Sequence, residues 1–240
     1  MPLLVMKFGG TSVADLARIE NAAKKVQKEV DRGYDVIVIV SAMSGETNRL
    51  VGYVEGTSKL YDAREYDAVV AAGENVTAGL MALRLQEMGI PARSWQGWQV
   101  PINTTAQHGS ARFVSIPRDN IDAKFAEGFK VAVVAGFQGL SPEGRVTTLG
   151  RGGSDTTAVA FAAAFGATGF TAGFATGLGA GLAALGASFG AAFCHFISAP
   201  KHQFSQQNFP RDRSYFYAFS YDHPSYFFSS YYFHGERSLQ

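Results

Sequence analysis

Leu3-Leu4-Val5-Met6-Lys7-Phe8 is an apolar run broken by one lysine, and it stops abruptly at Gly9-Gly10-Thr11-Ser12. Such a run suits a strand buried on both faces, the situation of a central strand in a parallel sheet. A helical pattern follows from 15 to about 32, with Leu16, Ile19, Ala23, Val26 and Val30 along one face. The alternation then repeats. Strand patterns at 36–40, 90–95 and 130–135 are interspersed with helical patterns at 65–72, 76–88 and 119–127. In the 76–88 helix, Val76, Leu80 and Leu83 are expected to face inward, and Gly89 ends it. This order predicts an α/β fold with three αβα layers around a mainly parallel sheet. Ligands gather at the carboxyl ends of the strands in such sheets, where Lys7, Gly9, Ser41, Gly136 and Phe137 fall.

A second glycine-rich loop, Thr147-Thr148-Leu149-Gly150-Arg151-Gly152-Gly153-Ser154-Asp155, lies between a strand-like 145–148 and an Ala-rich helical run at 156–165. Its glycines permit positive φ or close backbone approach. A loop leading into a helix turns N–H groups and the positive helix end toward an anion, and Arg151 adds a planar fork for carboxylate or phosphate. Ser154 and Asp155 occupy expected N-cap positions, so capping competes with ligand contact for both. Lys7 stands in a strand, where a buried ammonium needs an anion to neutralise it. Neither loop is a Walker loop or a G-x-G-x-x-G fingerprint.

Charge is distributed unevenly over the 240 residues. Residues 1–155 hold 17 Lys/Arg and 17 Asp/Glu, whereas no charged residue lies between 156 and 194. Residues 201–240 hold 13 of the 31 aromatics. Three zones are therefore expected: a catalytic-type portion at 1–166, a Gly/Ala-rich uncharged segment at 167–200, and an aromatic, Ser-rich tail at 201–240. The net charge of +1 gives no field to recruit nucleic acid. The one cysteine, Cys194, excludes an internal disulfide, and the irregular spacing of His195, His202, His223 and His234 gives no metal site. No secretory leader pattern is visible, so a cytoplasmic location is expected. Glycines at 169, 173, 177 and 181 recur as on close-packed membrane helices, but Gly and Ala drive insertion weakly; low-complexity sequence is the stronger reading.

Lys-Phe-Gly-Gly-Thr-Ser at 7–12, Ser-Ala-Met at 41–43 with Thr47-Asn48, Gly73-Glu74, Gly136-Phe137 and Leu-Gly-Arg-Gly-Gly-Ser-Asp at 149–155 come in the order seen in aspartokinases. The chain resembles that family, within the amino acid kinase superfamily, from residue 1 to about 166. Ala72-Gly73-Glu74-Asn75 departs from the usual Ser-Gly-Glu-Gln. The resemblance implies transfer of the ATP γ-phosphate to the side-chain carboxylate of L-aspartate, giving 4-phospho-L-aspartate, with Mg²⁺ carried by the nucleotide. It implies that Lys7, Phe8, Gly9, Gly10 and Ser41 line the phosphate path. Asp155 would orient Lys7 or meet the substrate ammonium. Thr47, Glu74, Phe137, Arg151, Gly152, Gly153 and Ser154 would form the aspartate site, with Glu74 on the ammonium and Arg151 on a carboxylate. No protein-held metal is implied. A homo-oligomer is compatible with the sequence, and self-association through the tail is expected from its aromatic runs.

The resemblance ends where the family continues into a further strand, a Thr-Asp pair and an Asp-Gly-Val-Tyr stretch of the nucleotide pocket, then regulatory domains. None of these is visible in 167–240. The fold is thus expected to be incomplete at its C-terminal part and the chain to be impaired in catalysis. A non-catalytic aspartate- or anion-binding remnant, or membrane association through 167–200, are the alternatives.

Overall fold

A computed structural model describes residues 2–167 together with the backbone of three short strands at 169–173, 216–217 and 230–231. The chain divides into two units, Met1–Ala187 and Ser188–Gln240. In the first, five parallel strands form one sheet in the order β3-β6-β2-β1-β9: β3 (Ala92–Trp95), β6 (Val131–Ala135), β2 (Asp35–Val40), β1 (Leu3–Phe8) and β9 (Gly169–Gly173). In the second, β10 (Phe216–Tyr217) pairs antiparallel with β11 (Ser230–Tyr231).

β9 corrects an expectation. The family's strand after the 156–165 helix was thought missing, yet Gly169–Gly173 pairs parallel with β1 in the register Leu4↔Gly169 to Phe8↔Gly173. The segment has little strand character of its own; the free edge of β1 supplies the ladder that its composition does not.

The period-two alternation of β1 sorts its side chains between two helical layers. Leu4, Met6 and Phe8 face a core built with α1 (Leu16–Asp31) and α4 (Ala72–Glu87), whose contributions include Ile19, Val26, Met81 and Leu85. Val5 and Lys7 therefore face the other side, where α6 (Gly153–Ala164) packs on β1 and β2. This is the expected three-layer arrangement.

Two helix faces differ from expectation. Leu16 at the start of α1 is exposed. On α4 the buried stripe runs Gly73, Glu74, Thr77, Ala78, Met81, Ala82 and Leu85, while Val76 and Leu83 face outward and Leu80 is only half-buried. Both stripes satisfy a helical period, so periodicity could not choose between them. Small residues on the inner stripe let the helix approach closely, as a Cβ on Gly73 would stand 2.8 Å from Ala42 Cβ.

Three further helices complete the unit: α2 (Glu46–Thr57), α3 (Ala63–Val70) and α5 (Asp119–Ala126). A second sheet, in the order β5-β4-β7-β8, joins β4 (Asn103–Thr104), β5 (Phe113–Ser115), β7 (Gln138–Leu140) and β8 (Val146–Thr148). It carries the arginine-bearing loop at the end of β8. By length and composition, one described stretch, Ala63–Glu87, would reach across a membrane. It comprises α3 and α4, whose inner side is core. The expected membrane alternative, the uncharged 167–200 segment, lies outside the described residues except for β9, as do the four tail histidines.

Replacing fully buried Met81 with Ala should destabilise the protein by about 2–5 kcal/mol. Leu83→Ala, on the outward stripe, should change stability by less than about 1 kcal/mol. Urea unfolding followed by circular dichroism measures both. Equal losses would restore the outward stripe to the core.

Candidate active site

The carboxyl ends of β1 and β2 are tied together where the Ser41 N–H donates to the Phe8 carbonyl at 3.1 Å. Beyond them the chain enters two glycine-dependent turns. Gly9 leads into a single 3-10 turn, Gly10–Val13, and only then into α1, which Asp15 caps by accepting from the Arg18 N–H at 2.8 Å. Gly10 is required by proximity, since a Cβ there would lie 2.9 Å from the Ala42 carbonyl oxygen. The Phe8 ring belongs to the core and its carbonyl takes the Ser41 N–H, so Phe8 positions the loop.

Lys7 points to the α6 side, and its ammonium stands 2.7 Å from Asp155 Oδ1. The lysine side chain is 11% exposed and the aspartate 41%, so the pair opens to solvent on the carboxylate side. The same ammonium is the one group that a Cβ on Gly9 would meet, at 3.1 Å. Lys7 therefore curls over the glycine turn at the end of its own strand. A nearby carboxylate offsets the desolvation cost of that ammonium while leaving it beside open space.

Asp155 and Ser154 are not N-caps. α6 starts at Gly153, after Gly152 in the left-handed region at φ 75°, without a side-chain cap. Positive φ at Gly152 turns the chain into the helix two residues earlier than a cap at Ser154 would, placing both residues in the first turn. Ser154 Oγ lies 2.7 Å from Ser41 Oγ, a hydroxyl pair linking α6 to the end of β2. Gly136 makes room for this contact, because a Cβ there would be 2.9 Å from Ser154 Cβ.

Phe137, after β6, holds a positive φ of 68°. This conformation is costly for an aromatic residue and marks a site where surrounding bonds impose it. Its N–H donates to Thr157 Oγ1 at 3.1 Å and its carbonyl accepts from the Leu149 N–H at 2.9 Å. Its ring lies so close to Gly153 that a Cβ there would be 2.8 Å from Phe137 Cδ2. Phe137 thus locks β6 to both flanks of the arginine loop.

Glu74 sits in the first turn of α4, 3% exposed, with Oε1 accepting from the Ala42 N–H at 3.0 Å. Among the described residues, buried Oε2 has no hydrogen-bond partner. Desolvation pushes the carboxyl up to about 7 from 4.5, against the lowering effect of the backbone N–H groups of Ala42 and of Glu74 itself. A buried carboxylate with one vacant oxygen suits a cation that arrives with a ligand. Arg151 is exposed and makes no hydrogen bond or ion pair among the described residues. Thr47 is half-buried in the first turn of α2. Bonded contacts thus join Lys7, Asp155, Ser41 and Ser154 directly, and bring Glu74 to the neighbouring Ala42. No contact links Thr47 or Arg151 to them.

Sequence reasoning overlooked Asp67 and His108. Asp67, fully buried on α3, accepts from His108 Nδ1 at 2.7 Å, from Thr148 Oγ1 at 2.6 Å and from the Gly109 N–H at 3.0 Å. The partners lie 41 to 81 positions away in the chain, so no local pattern announces them. The described residues include no group of three His, Cys, Asp or Glu able to hold a metal ion.

Residues 2–171 match the amino acid kinase family. The chain is 51% identical over 163 residues to an aspartate kinase of Stutzerimonas stutzeri, covering 68% of this chain and 39% of that protein. It is 47% identical over 163 residues to aspartokinase 2 of Bacillus subtilis, covering 68% and 40%. The chain thus spans well under half the length of these relatives. Among solved structures, aspartate kinase from Synechocystis superimposes with a TM-score of 0.62 at 39% identity, over 71% of this chain and 27% of that one. E. coli aspartokinase III, in complex with aspartate and ADP, also gives 0.62, at 25% identity, over 71% and 48%.

The raised pKa of Glu74 has a testable sign. Between pH 4.5 and about 7 the folded state keeps a proton that the unfolded state has released, so stability falls as pH rises through this window. The penalty is complete above about 7 and absent below 4.5. Glu74→Gln should therefore be more stable than the parent at pH 8, by up to about 3 kcal/mol, and indistinguishable from it at pH 4. Denaturant titrations at the two pH values check this. A difference independent of pH would place the carboxylate in a solvated setting.

Proposed function

As the chain belongs to the amino acid kinase family, we propose that it binds L-aspartate and ATP at the carboxyl ends of β1, β2 and β6 and transfers the γ-phosphate to the aspartate side chain. A side-chain carboxylate oxygen forms the new bond to phosphorus, the bond to the ADP oxygen breaks, and 4-phospho-L-aspartate and ADP leave. The observation that carries this reading is the Lys7 ammonium, poised over Gly9 and held by Asp155 at 2.7 Å. Phosphoryl transfer demands positioning and charge stabilisation more than covalent chemistry, and this corner offers both.

Lys7 offsets charge on the transferred group, and the Gly9 and Gly10 turn admits phosphate oxygens where a side chain would intrude. Asp155 keeps the ammonium in place. Ser41 and Ser154 line the path between the two substrates. The vacant Glu74 Oε2 takes the substrate ammonium, which removes the cost of burying that carboxylate alone. Arg151, exposed and without a partner among the described residues, pairs with a substrate carboxylate, while Thr47 donates its hydroxyl and Gly152 and Gly153 let the ligand approach the backbone. Phe137 forms a wall beside Gly153. Mg²⁺ would come with the nucleotide and offset the charge of its phosphates, while Lys7 and the Gly9–Gly10 turn supply the protein's donors.

We assign this role to the portion expected at 1–166 together with β9, which completes its sheet beside β1, and expect a cytoplasmic protein. A second reading, aspartate binding without turnover, is favoured by the family match stopping at residue 171 of 240.

ADP release dependent on aspartate, followed with the full chain, separates these readings. Lys7→Ala should lower turnover by about a hundredfold or more, since one transition-state contact contributes about 3 kcal/mol. Its aspartate affinity should stay within about twofold of the parent, because the lysine serves the transition state. Arg151→Lys should weaken aspartate binding about tenfold, as an ammonium cannot form the bidentate contact. Parent-like turnover in Lys7→Ala would remove the lysine from the mechanism. Saturable aspartate binding with no ADP release by the parent would establish the second reading.

A further inference from the structure

The loop that carries Arg151 has little to hold it from within. Gly150 and Gly152 both adopt positive φ, at 76° and 75°; the turn's own bonds are Gly153 N–H to Gly150 O, the N–H groups of Asp155 and Thr156 and the Thr156 hydroxyl to Gly152 O, and the Thr157 hydroxyl to Gly153 O. The guanidinium itself has no partner among the described residues. Where Arg151 stands is therefore decided at the flanks of the loop. On the α6 side this is the Phe137 and Ser154 packing already described. On the β8 side it is Thr148.

Thr148 is held by a buried network centred on Asp67. Its hydroxyl donates to Asp67 Oδ1 at 2.6 Å, and its carbonyl accepts from the Ala111 N–H at 2.9 Å. Asp67 also receives the Gly109 N–H, at 3.1 and 3.0 Å on its two oxygens, and His108 Nδ1 at 2.7 Å. Gly109 closes the circuit: its carbonyl oxygen would lie 3.4 Å from a Cβ on Gly150. One carboxylate on α3 thus gathers the end of β8 and the backbone against which the arginine loop rests.

The donor set calls for a carboxylate. Three donors converge on an acceptor-only group; an amide would turn an N–H either toward His108 or toward the Thr148 hydroxyl, which would then have to give up its role as donor. The histidine cannot adapt without cost. Its Nε2 is buried and unpartnered, so moving the ring proton there to let Nδ1 accept would create a buried donor with no acceptor. We propose that Asp67, with His108 as its buttress, is a positioning residue that fixes the Arg151 loop and thereby sets affinity for the substrate carboxylate without touching substrate. This inference rests on the aspartate-binding reading above, but its mechanical half is testable without a ligand.

Asp67→Asn and the milder Thr148→Val, each in the full chain, test it by hydrogen exchange and by aspartate titration. The protected amides of Leu149 and Gly153, which donate to the Phe137 and Gly150 carbonyls, should exchange about tenfold faster in both variants, while those of β1 and β2 keep parent rates. Aspartate affinity should fall about fivefold or more, with affinity for a non-hydrolysable ATP analogue unchanged. Adding Arg151→Ala to either variant should cost less than half the fold-change it causes in the parent, because the arginine is already misplaced. A merely structural role would leave the two effects multiplicative. If Asp67→Asn does not fold, Thr148→Val decides by the same readings. Parent-like exchange of Leu149 and Gly153 in the folded variants, or multiplicative effects on affinity, would overturn the inference. Faster loop exchange in a chain that binds no aspartate even as the parent would instead refute the functional reading and leave the positioning role standing.

Discussion

An ammonium at the end of a buried strand needs a nearby carboxylate, and the arrangement of this domain follows from how Lys7 obtains one. The alternation of β1 sends Lys7 to the side opposite Met6 and Phe8, where α6 presents Asp155 at 2.7 Å. For Asp155 to stand there, α6 must begin at Gly153, which requires positive φ at Gly152. For α6 to lie so close, Gly136 must leave space at the end of β6. The ion pair, the hydroxyl pair of Ser41 and Ser154, and the absence of a Cβ at Gly136 are three parts of one docking event. Function and packing share residues here, so a lost contact would disturb both.

The second constraint is electrostatic and points the other way. Glu74 is buried with one oxygen vacant, and its carboxyl is pushed up to about 7. A buried carboxyl whose ionisation is resisted in the free protein is primed for a ligand that supplies the opposite charge. The lysine corner and the glutamate corner are neighbours through Ser41 and Ala42. Together they fit a substrate that carries an ammonium at one end and a carboxylate to be phosphorylated at the other.

Much of this was legible in the chain, for physical reasons that differ between elements. β1, β2 and β6 were readable because strands covered on both faces tolerate only apolar side chains, which makes Lys7 conspicuous. The face of α4 was not readable, because two apolar stripes share its period and only the close approach at Gly73 selects the inner one. α2 escaped notice because Gly52 and Gly56 dilute its pattern, although tertiary contacts hold it helical. The strands of the second sheet span two or three residues each, too short for any period to appear. β9 hides within a Gly-rich run and depends on β1 for its form. Asp67 and His108 were invisible for a deeper reason: their meaning lies in partners brought together by the fold. The glycine loops were legible from residue type and Glu74 from the family resemblance, but the reversal of Ser154 and Asp155 from caps to first-turn contacts required the φ of Gly152.

The central claim is that Glu74 and the lysine corner form a site for an amino acid with an acidic side chain. Isothermal titration of the full chain with L-aspartate and with succinate, which lacks the ammonium, tests it most directly. The account predicts saturable binding of aspartate and, because succinate forgoes a charge-assisted contact of about 1.5–3 kcal/mol, succinate affinity weaker by about tenfold or more. Equal affinity for the two would contradict it, since the vacant oxygen of Glu74 would then have no part in recognition.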